Sequence, residues 1–152
     1  MKSNITKKDL LYEGKAKRIY ATDDPQLVVQ EFKDDATAFD GEKHELISGK
    51  GYCNAQIAGL LFAHLNGQKI PTHFKEMVND NSMLIVHLNM LRVEFVVRNV
   101  AAGSISKRLG FPEGEKLAQP IMEYYYKEDA LHDPMINRNH IYVGIERCED
   151  HG

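Results

Sequence analysis

Short apolar runs separated by Gly-, Pro- and Asp-containing turns predict a chain built mostly of strands, with one long helix. Leu10–Tyr12 and Arg18–Ala21 read as strands flanking Glu13-Gly14-Lys15-Ala16-Lys17, a hairpin whose glycine eases the turn. Asp23-Asp24-Pro25 is a turn, and Leu27–Phe32 (LVVQEF) is a third strand. Lys33–Lys43 reads as a polar loop with Phe39 as its one large apolar residue. Ser48–Leu65 is the clearest helix: Cys53, Ile57, Leu60, Leu61, His64 and Leu65 recur at helical spacing on the face expected to pack, and Asn66-Gly67 stops it. Ile70–Phe74 enters another strand, and Met83–Leu88 (MLIVHL) is apolar enough for a strand buried on both faces.

The second half repeats the strand pattern with more charge. Val93–Val100 is a β-branched and aromatic strand that breaks at Ala101-Ala102-Gly103-Ser104. Ile105 and Leu109 then fall at helical spacing until Gly110 and Pro112 end them. Phe111–Gln119 reads as a polar connection, Ile121–Tyr126 (IMEYYY) as a strand, and Lys127–Pro134 as a charged turn. Ile141–Gly152 is short, acidic and expected to be loosely packed.

At 152 residues with 43% hydrophobic and 27% charged residues, the composition is that of an ordinary globular protein. The formal net charge of −3 argues against a general nucleic-acid or anionic-membrane binder. Cys53 and Cys148 fit no metal-ligand spacing and read as reduced thiols. No signal-peptide pattern opens the chain and no apolar run reaches the length of a membrane span, so a cytoplasmic location is expected.

Three places carry candidate chemistry. A strand, a Gly-Ser turn and a helix start aim backbone N–H groups at an anion, with Ser104 as N-cap and Arg98 and Arg108 as guanidinium forks. The same pattern also describes an ordinary corner with a capping serine. Lys15 and Lys17 suit either a lid over a triphosphate or a solvated hairpin tip; the turn is neither a Walker A loop nor a GxGxxG. Lys127, Asp129 and Asp133 are either a charged turn or a set that holds a carboxylate, an amine or a metal-bound water. Glu94 shares a strand face with Arg98 but sits four residues away, roughly 13 Å, too far for a direct ion pair. His64 reads as a packed or half-exposed helix residue rather than a ligand.

Glu94, Val96-Val97-Arg98-Asn99, Ala102-Gly103-Ser104, the GKAK turn, Lys50-Gly51 and the KEDALHDP stretch together resemble the SAICAR synthetase (phosphoribosylaminoimidazole-succinocarboxamide synthase) family from Leu11 to about Asn139. The resemblance implies an ATP- and magnesium-dependent ligase of purine biosynthesis that joins L-aspartate to carboxyaminoimidazole ribonucleotide (CAIR). It puts Lys15, Ala16 and Lys17 on the ATP phosphates and Met90 in a hinge at the adenine. It puts Arg98 and Ser104 on the ribonucleotide phosphate, with Glu94 and Asp40 on the substrate side. Lys127, Asp129 and Asp133 become the catalytic set near the CAIR or aspartate carboxylates.

The family's later DxKxEFG and DExSPD blocks, whose carboxylates hold magnesium, do not occur in the 152 residues, so no metal ligand is identified. The expected fold is α+β: an antiparallel β-rich nucleotide-binding lobe over residues 1–100, then a partial, truncated substrate-side lobe over 101–152. Two expectations stand side by side. One is a ligase completed by self-association or by a partner chain over the open inter-lobe face. The other is a catalytically incomplete short form that binds a purine nucleotide, a ribonucleotide, or a partner such as a full-length synthase.

Overall fold

The structure, a computed structural model, describes residues 5–38 and 43–143. The chain divides into two compact units, Met1–Asn89 and Met90–Gly152. The strand Val93–Val100, expected to close the first lobe, therefore groups with the second unit. Asp40 and Phe39 lie outside the described residues, as do Cys148 and most of the stretch expected to be loosely packed.

The first unit contains β1 (Leu10–Glu13), β2 (Lys17–Ala21), β3 (Leu27–Phe32), β4 (Asp35–Ala38), β5 (Lys43–Leu46), α1 (Lys50–Gly67), β6 (Phe74–Asn79) and β7 (Ser82–Val86). Its main sheet is antiparallel, in the order β1-β2-β3-β7-β6. In keeping with its continuous apolar run, β7 is an interior strand between β3 and β6, and Ser82 through Ile85 are buried. The core is Val28, Phe74, Met83 and Ile85, extended by Ile19, Phe32, Ala58, Phe62 and Met77. Full burial of side chains of this size stabilises by about 1.5–3 kcal/mol each.

The helix falls where the sequence puts it, but it packs through a different face. Gly51, Ala55 and Gly59 are its buried residues, while Ile57, Leu60 and Leu61 face outward, Leu60 at 73% exposure. The reason is separation. A β-carbon on Gly51 would stand 2.6 Å from the Phe32 carbonyl oxygen, so the helix backbone lies almost on β3 there and leaves no room for a side chain at that position.

The polar segment expected to be a loop is a hairpin. Asp35 pairs with Leu46 and Ala36 with Glu45 in the antiparallel β4–β5 ribbon. The ladder continues through Ile47 N–H to Asp34 O at 3.0 Å. A ribbon with little apolar surface is held by backbone bonds, so it shows no hydrophobic alternation to read.

The second unit contains β8 (Val93–Val100), α2 (Ser104–Leu109), β9 (Lys116–Tyr126), a single 3₁₀ turn at Asp129–Leu131, β10 (Met135–Ile136) and α3 (Arg138–Tyr142). Its antiparallel sheet has the order β10-β9-β8. Strand β9 starts earlier than its apolar run: Lys116 already pairs with Val100, although Lys116–Gln119 read as connection. Pro120 is tolerated because the register shifts between Arg98 and Val100, and β10 pairs only with Tyr124 and Tyr125, leaving that end of β9 an open edge. Alternation gives this sheet two characters. Phe95, Val97 and Met122 lie on one face, exposed, and Glu94, Arg98, Glu123 and Tyr125 lie on the other. Among the described residues no helix is long and apolar enough to cross a membrane.

Candidate functional site

The corner after β8 is set by glycine. Gly103 has φ +65° and ψ −122°, a conformation that side chains disfavour, and it serves as the N-cap residue of α2. Its N–H donates to Glu113 Oε1 at 3.1 Å, which ties the corner to the loop before β9. Ser104 is thus not the N-cap but the first helical residue, and it makes no side-chain capping bond. Its hydroxyl turns instead toward β8, where Arg98 Nη2 donates to Ser104 Oγ at 2.8 Å. Arg98 Nη1 also donates to the Ala102 carbonyl at 3.1 Å, so one guanidinium spans the turn.

Behind that pair lies a group the sequence reading passed over. Glu123 on β9 is diagonal to Arg98 on the same sheet face, since Arg98 pairs with Ile121 and Val96 with Glu123. Only 2% of its side chain is exposed. Arg98 Nε donates to Glu123 Oε2 at 2.6 Å, Arg108 Nη2 donates to Oε1, and the Tyr125 hydroxyl donates to Oε2 at 2.8 Å. Arg108 reaches back from the last turn of α2, its Nε donating to Ser104 O at 3.3 Å. Burial pushes the Glu123 carboxyl up, but bonds from Arg98, Tyr125 and Arg108 outweigh it and hold the group below its ordinary range. The Glu123 bond likewise holds the Arg98 guanidinium firmly protonated. A signal existed: a lone acid inside the apolar run IMEYYY has to find a cation when buried.

At the other end of the same face, Lys127 follows β9 and its N–H donates to Arg92 O at 2.8 Å, extending the ladder. Its ammonium pairs with Asp133 Oδ2 and lies 3.6 Å from Glu94 Oε2. Asp133 Oδ1 accepts the Glu128 N–H at 2.9 Å. His132 and Asp133 both carry positive φ, +55° and +46°, so the KEDALHDP turn is held against local preference. The Asp133 bond, above all, raises the Lys127 ammonium above its ordinary value. Asp129 opens the 3₁₀ turn, exposed and outside the Lys127–Asp133 pair.

The second unit therefore gathers Glu94, Arg98, Ser104, Lys127 and Asp133 around one charged sheet face, in two clusters. Glu94 and Arg98 do not pair with each other: each takes its partner from or beyond β9. Met90 opens the same unit in the irregular link before β8 and is 75% exposed.

Lys15, Ala16 and Lys17 belong to the first unit and are exposed, the first two in the turn between β1 and β2 and Lys17 at the start of β2. Gly14 N–H donates to Lys17 O and Lys33 N–H to Ala16 O, each at 2.9 Å. Lys33 Nζ also donates to Glu13 Oε1 at 2.7 Å and to Gly14 O at 3.4 Å, fastening the base of the turn while the two tip lysines face water. Among the described residues no group of three or more His, Cys, Asp or Glu is placed to hold a metal ion.

A family model described as SAICAR synthetase matches residues 10–151. A curated relative from Bacillus subtilis (strain 168), named phosphoribosylaminoimidazole-succinocarboxamide synthase, is 54% identical over 140 residues. That match takes in 92% of this chain and 58% of the relative, so the chain spans little more than half the length of such proteins. A solved structure described as SAICAR synthetase (Type-2) in complex with ADP superposes with a TM-score of 0.84 at 50% identity, over 89% of this chain and 57% of the other. The synthase structure from Ehrlichia chaffeensis gives a TM-score of 0.86 at 41% identity over the same shares.

Proposed function

This chain belongs to the SAICAR synthetase family, and from that premise we propose that it carries the nucleotide- and ribonucleotide-binding part of an ATP-dependent ligase. The reaction joins L-aspartate to CAIR and yields SAICAR, ADP and phosphate. The observation that carries this reading is the Arg98–Ser104 pair, 2.8 Å apart and backed by a buried carboxylate, on a family-matched stretch. A guanidinium and a hydroxyl so arranged suit the oxygens of a phosphate monoester.

In the proposed reaction a CAIR carboxylate oxygen attacks the γ-phosphorus of ATP, the bond to the bridging oxygen breaks, and ADP leaves with that electron pair. The aspartate amine then attacks the acyl carbon. The carbon–oxygen bond breaks, inorganic phosphate departs, and the new amide nitrogen gives up a proton. Lys15 and Lys17 would meet the ATP phosphates, with the Ala16 backbone between them, and Met90 would offer backbone groups to the adenine. Arg98 and Ser104 would hold the ribonucleotide phosphate. Lys127 would face a substrate carboxylate, with Asp133 fixing its direction and Asp129 near the amine. Glu94 and Asp40 are assigned to the substrate side. Magnesium is implied by the family resemblance; among the described residues no three His, Cys, Asp or Glu side chains are placed to hold it.

The test is a coupled assay for ADP release with ATP, magnesium, CAIR and aspartate, checked by detecting the succinocarboxamide product. Product that vanishes in Lys17→Ala and Arg98→Ala variants supports the ligase. Absence of product, with thermal stabilisation by nucleotide or CAIR, supports the alternative of a binding protein. Solution mass in the same samples tests whether a second copy completes the site.

A further inference from the structure

We infer that Glu123 is a positioning residue for the anion corner: its buried carboxylate locks Arg98 and Arg108 side by side and turns the Arg98–Ser104 pair toward a phosphate monoester. This rests on the phosphate reading of the corner. Two guanidiniums close enough to share one carboxylate repel each other, and each has several torsions free to move it away. Glu123 removes both problems, because one oxygen takes Arg98 Nε at 2.6 Å and the other takes Arg108 Nη2.

With Nε fixed from behind and Nη1 fixed by the Ala102 carbonyl at 3.1 Å, the Arg98 fork has one orientation. Its Nη2 lies against Ser104 Oγ, and that hydroxyl keeps its own hydrogen to donate. Tyr125 completes the carboxylate's shell at 2.8 Å, and the Arg108 guanidinium lies 5.9 Å from the Tyr125 ring centre, so the acid is satisfied without solvent. Two cations and one anion leave a single net positive charge, suited to attracting a phosphate without scattering the side chains that bind it.

The experiment titrates the full chain with ribose 5-phosphate and follows the Arg98 Nε–H signal by NMR. In the unaltered chain that signal is expected to lie downfield and to exchange slowly, because the N–H is bonded to a carboxylate. Glu123→Gln is expected to lose the signal's shift and to bind the probe at least tenfold more weakly, with its backbone amide spectrum retained. Glu123→Asp, which keeps the charge on a shorter arm, is expected to recover part of both. If Glu123→Gln does not fold, Tyr125→Phe serves in its place: it removes one donor to the carboxylate and is expected to shift the Nε–H signal and weaken binding severalfold.

Equal or tighter binding in Glu123→Gln, while Arg98→Ala abolishes binding, overturns the role of Glu123 and leaves the phosphate reading standing. Unchanged binding in both Arg98→Ala and Ser104→Ala, or none in the unaltered chain, overturns the phosphate reading. The Nε–H signal in Glu123→Gln then decides the orienting role alone, and an unshifted signal overturns it.

Discussion

Asp34 holds the N-terminus of α1 from seventeen residues before Gly51: its Oδ1 accepts the Gly51 N–H at 2.8 Å, and its Oδ2 accepts the Gly49 N–H at 3.2 Å. Gly49, the N-cap residue, has no side chain to cap with, so a carboxylate from the link between β3 and β4 does that work and also meets the positive end of the helix dipole. Asp34→Ala is expected to cost about 1–2 kcal/mol, near the upper part of the range for lost caps. Urea titration followed by helical circular dichroism measures it, and Asp34→Asn should retain part of the stability.

Two helical glycines make a contrasting pair. Replacing either with alanine gains helix propensity of about 1 kcal/mol. At Gly51 the new methyl meets the Phe32 carbonyl oxygen at 2.6 Å, which is backbone and has no room to yield. At Gly59 it meets the Met77 sulfur at 2.6 Å, the end of a flexible side chain. Gly51→Ala is therefore expected to destabilise the first unit by about 1–3 kcal/mol, and Gly59→Ala to be near neutral. Denaturation midpoints compared side by side decide it.

His73 sits against Phe62, ring centres 4.8 Å apart, and burial pushes its imidazole below the ordinary value, with a smaller push from the Lys17 ammonium. The folded state thus favours the neutral ring. As pH falls through about 6.5, the unfolded chain takes up the proton first, and stability declines until the lowered folded value is passed. His73→Phe is expected to flatten stability across that window while leaving the loss at carboxylate pH in place. Melting temperatures at half-unit pH steps between 5 and 7.5 measure the difference.

Lys33 fastens the hairpin that carries Lys15 and Lys17. Its bond to Glu13, its strongest influence, raises the ammonium above its ordinary value, and only 10% of the side chain is exposed. Lys33→Met removes the bonds to Glu13 Oε1 and Gly14 O but keeps the apolar stem. The Gly14 amide, bonded to Lys17 O, is expected to exchange severalfold faster, with amides of β7 unchanged. Equal protection at Gly14 in both proteins would assign the hairpin's order to its backbone bonds alone.

Strand identity was the part most open to sequence reading, since β1, β2, β3, β7, β8 and the apolar end of β9 coincide with apolar runs. Helix α1 was legible in extent but not in orientation. Periodicity marked Ile57, Leu60 and Leu61 as a face, and nothing in a hydrophobicity pattern announces that glycine and alanine will take the inner one. The β4–β5 hairpin and the start of β9 escaped for the opposite reason: ladder bonds hold them, and backbone groups are the same in every residue.

At the corner, Arg98 and Ser104 stood out by chemistry and are in contact. Glu123 did not stand out, because its partnership depends on the diagonal register between β8 and β9, which one strand alone does not disclose. Nor did Asp34, whose helix cap acts across the intervening hairpin.

The alternation of the β8–β9 ribbon makes the corner a matter of parity. Arg98 and Glu123 face the polar side because each is an even number of positions from Glu94 and Tyr125, while Val97 and Met122, one step away, face the apolar side. A single-residue deletion inside β8 before Arg98 would send the guanidinium to the apolar face and put Asn99 in its place diagonal to Glu123. A two-residue deletion would keep the faces and shift only the reach. The loop around Gly110 and Gly114 carries no such constraint. Length variation in this part of the chain is therefore tolerated between the strands and excluded within them, and the bulge just past Arg98 marks where one regime gives way to the other.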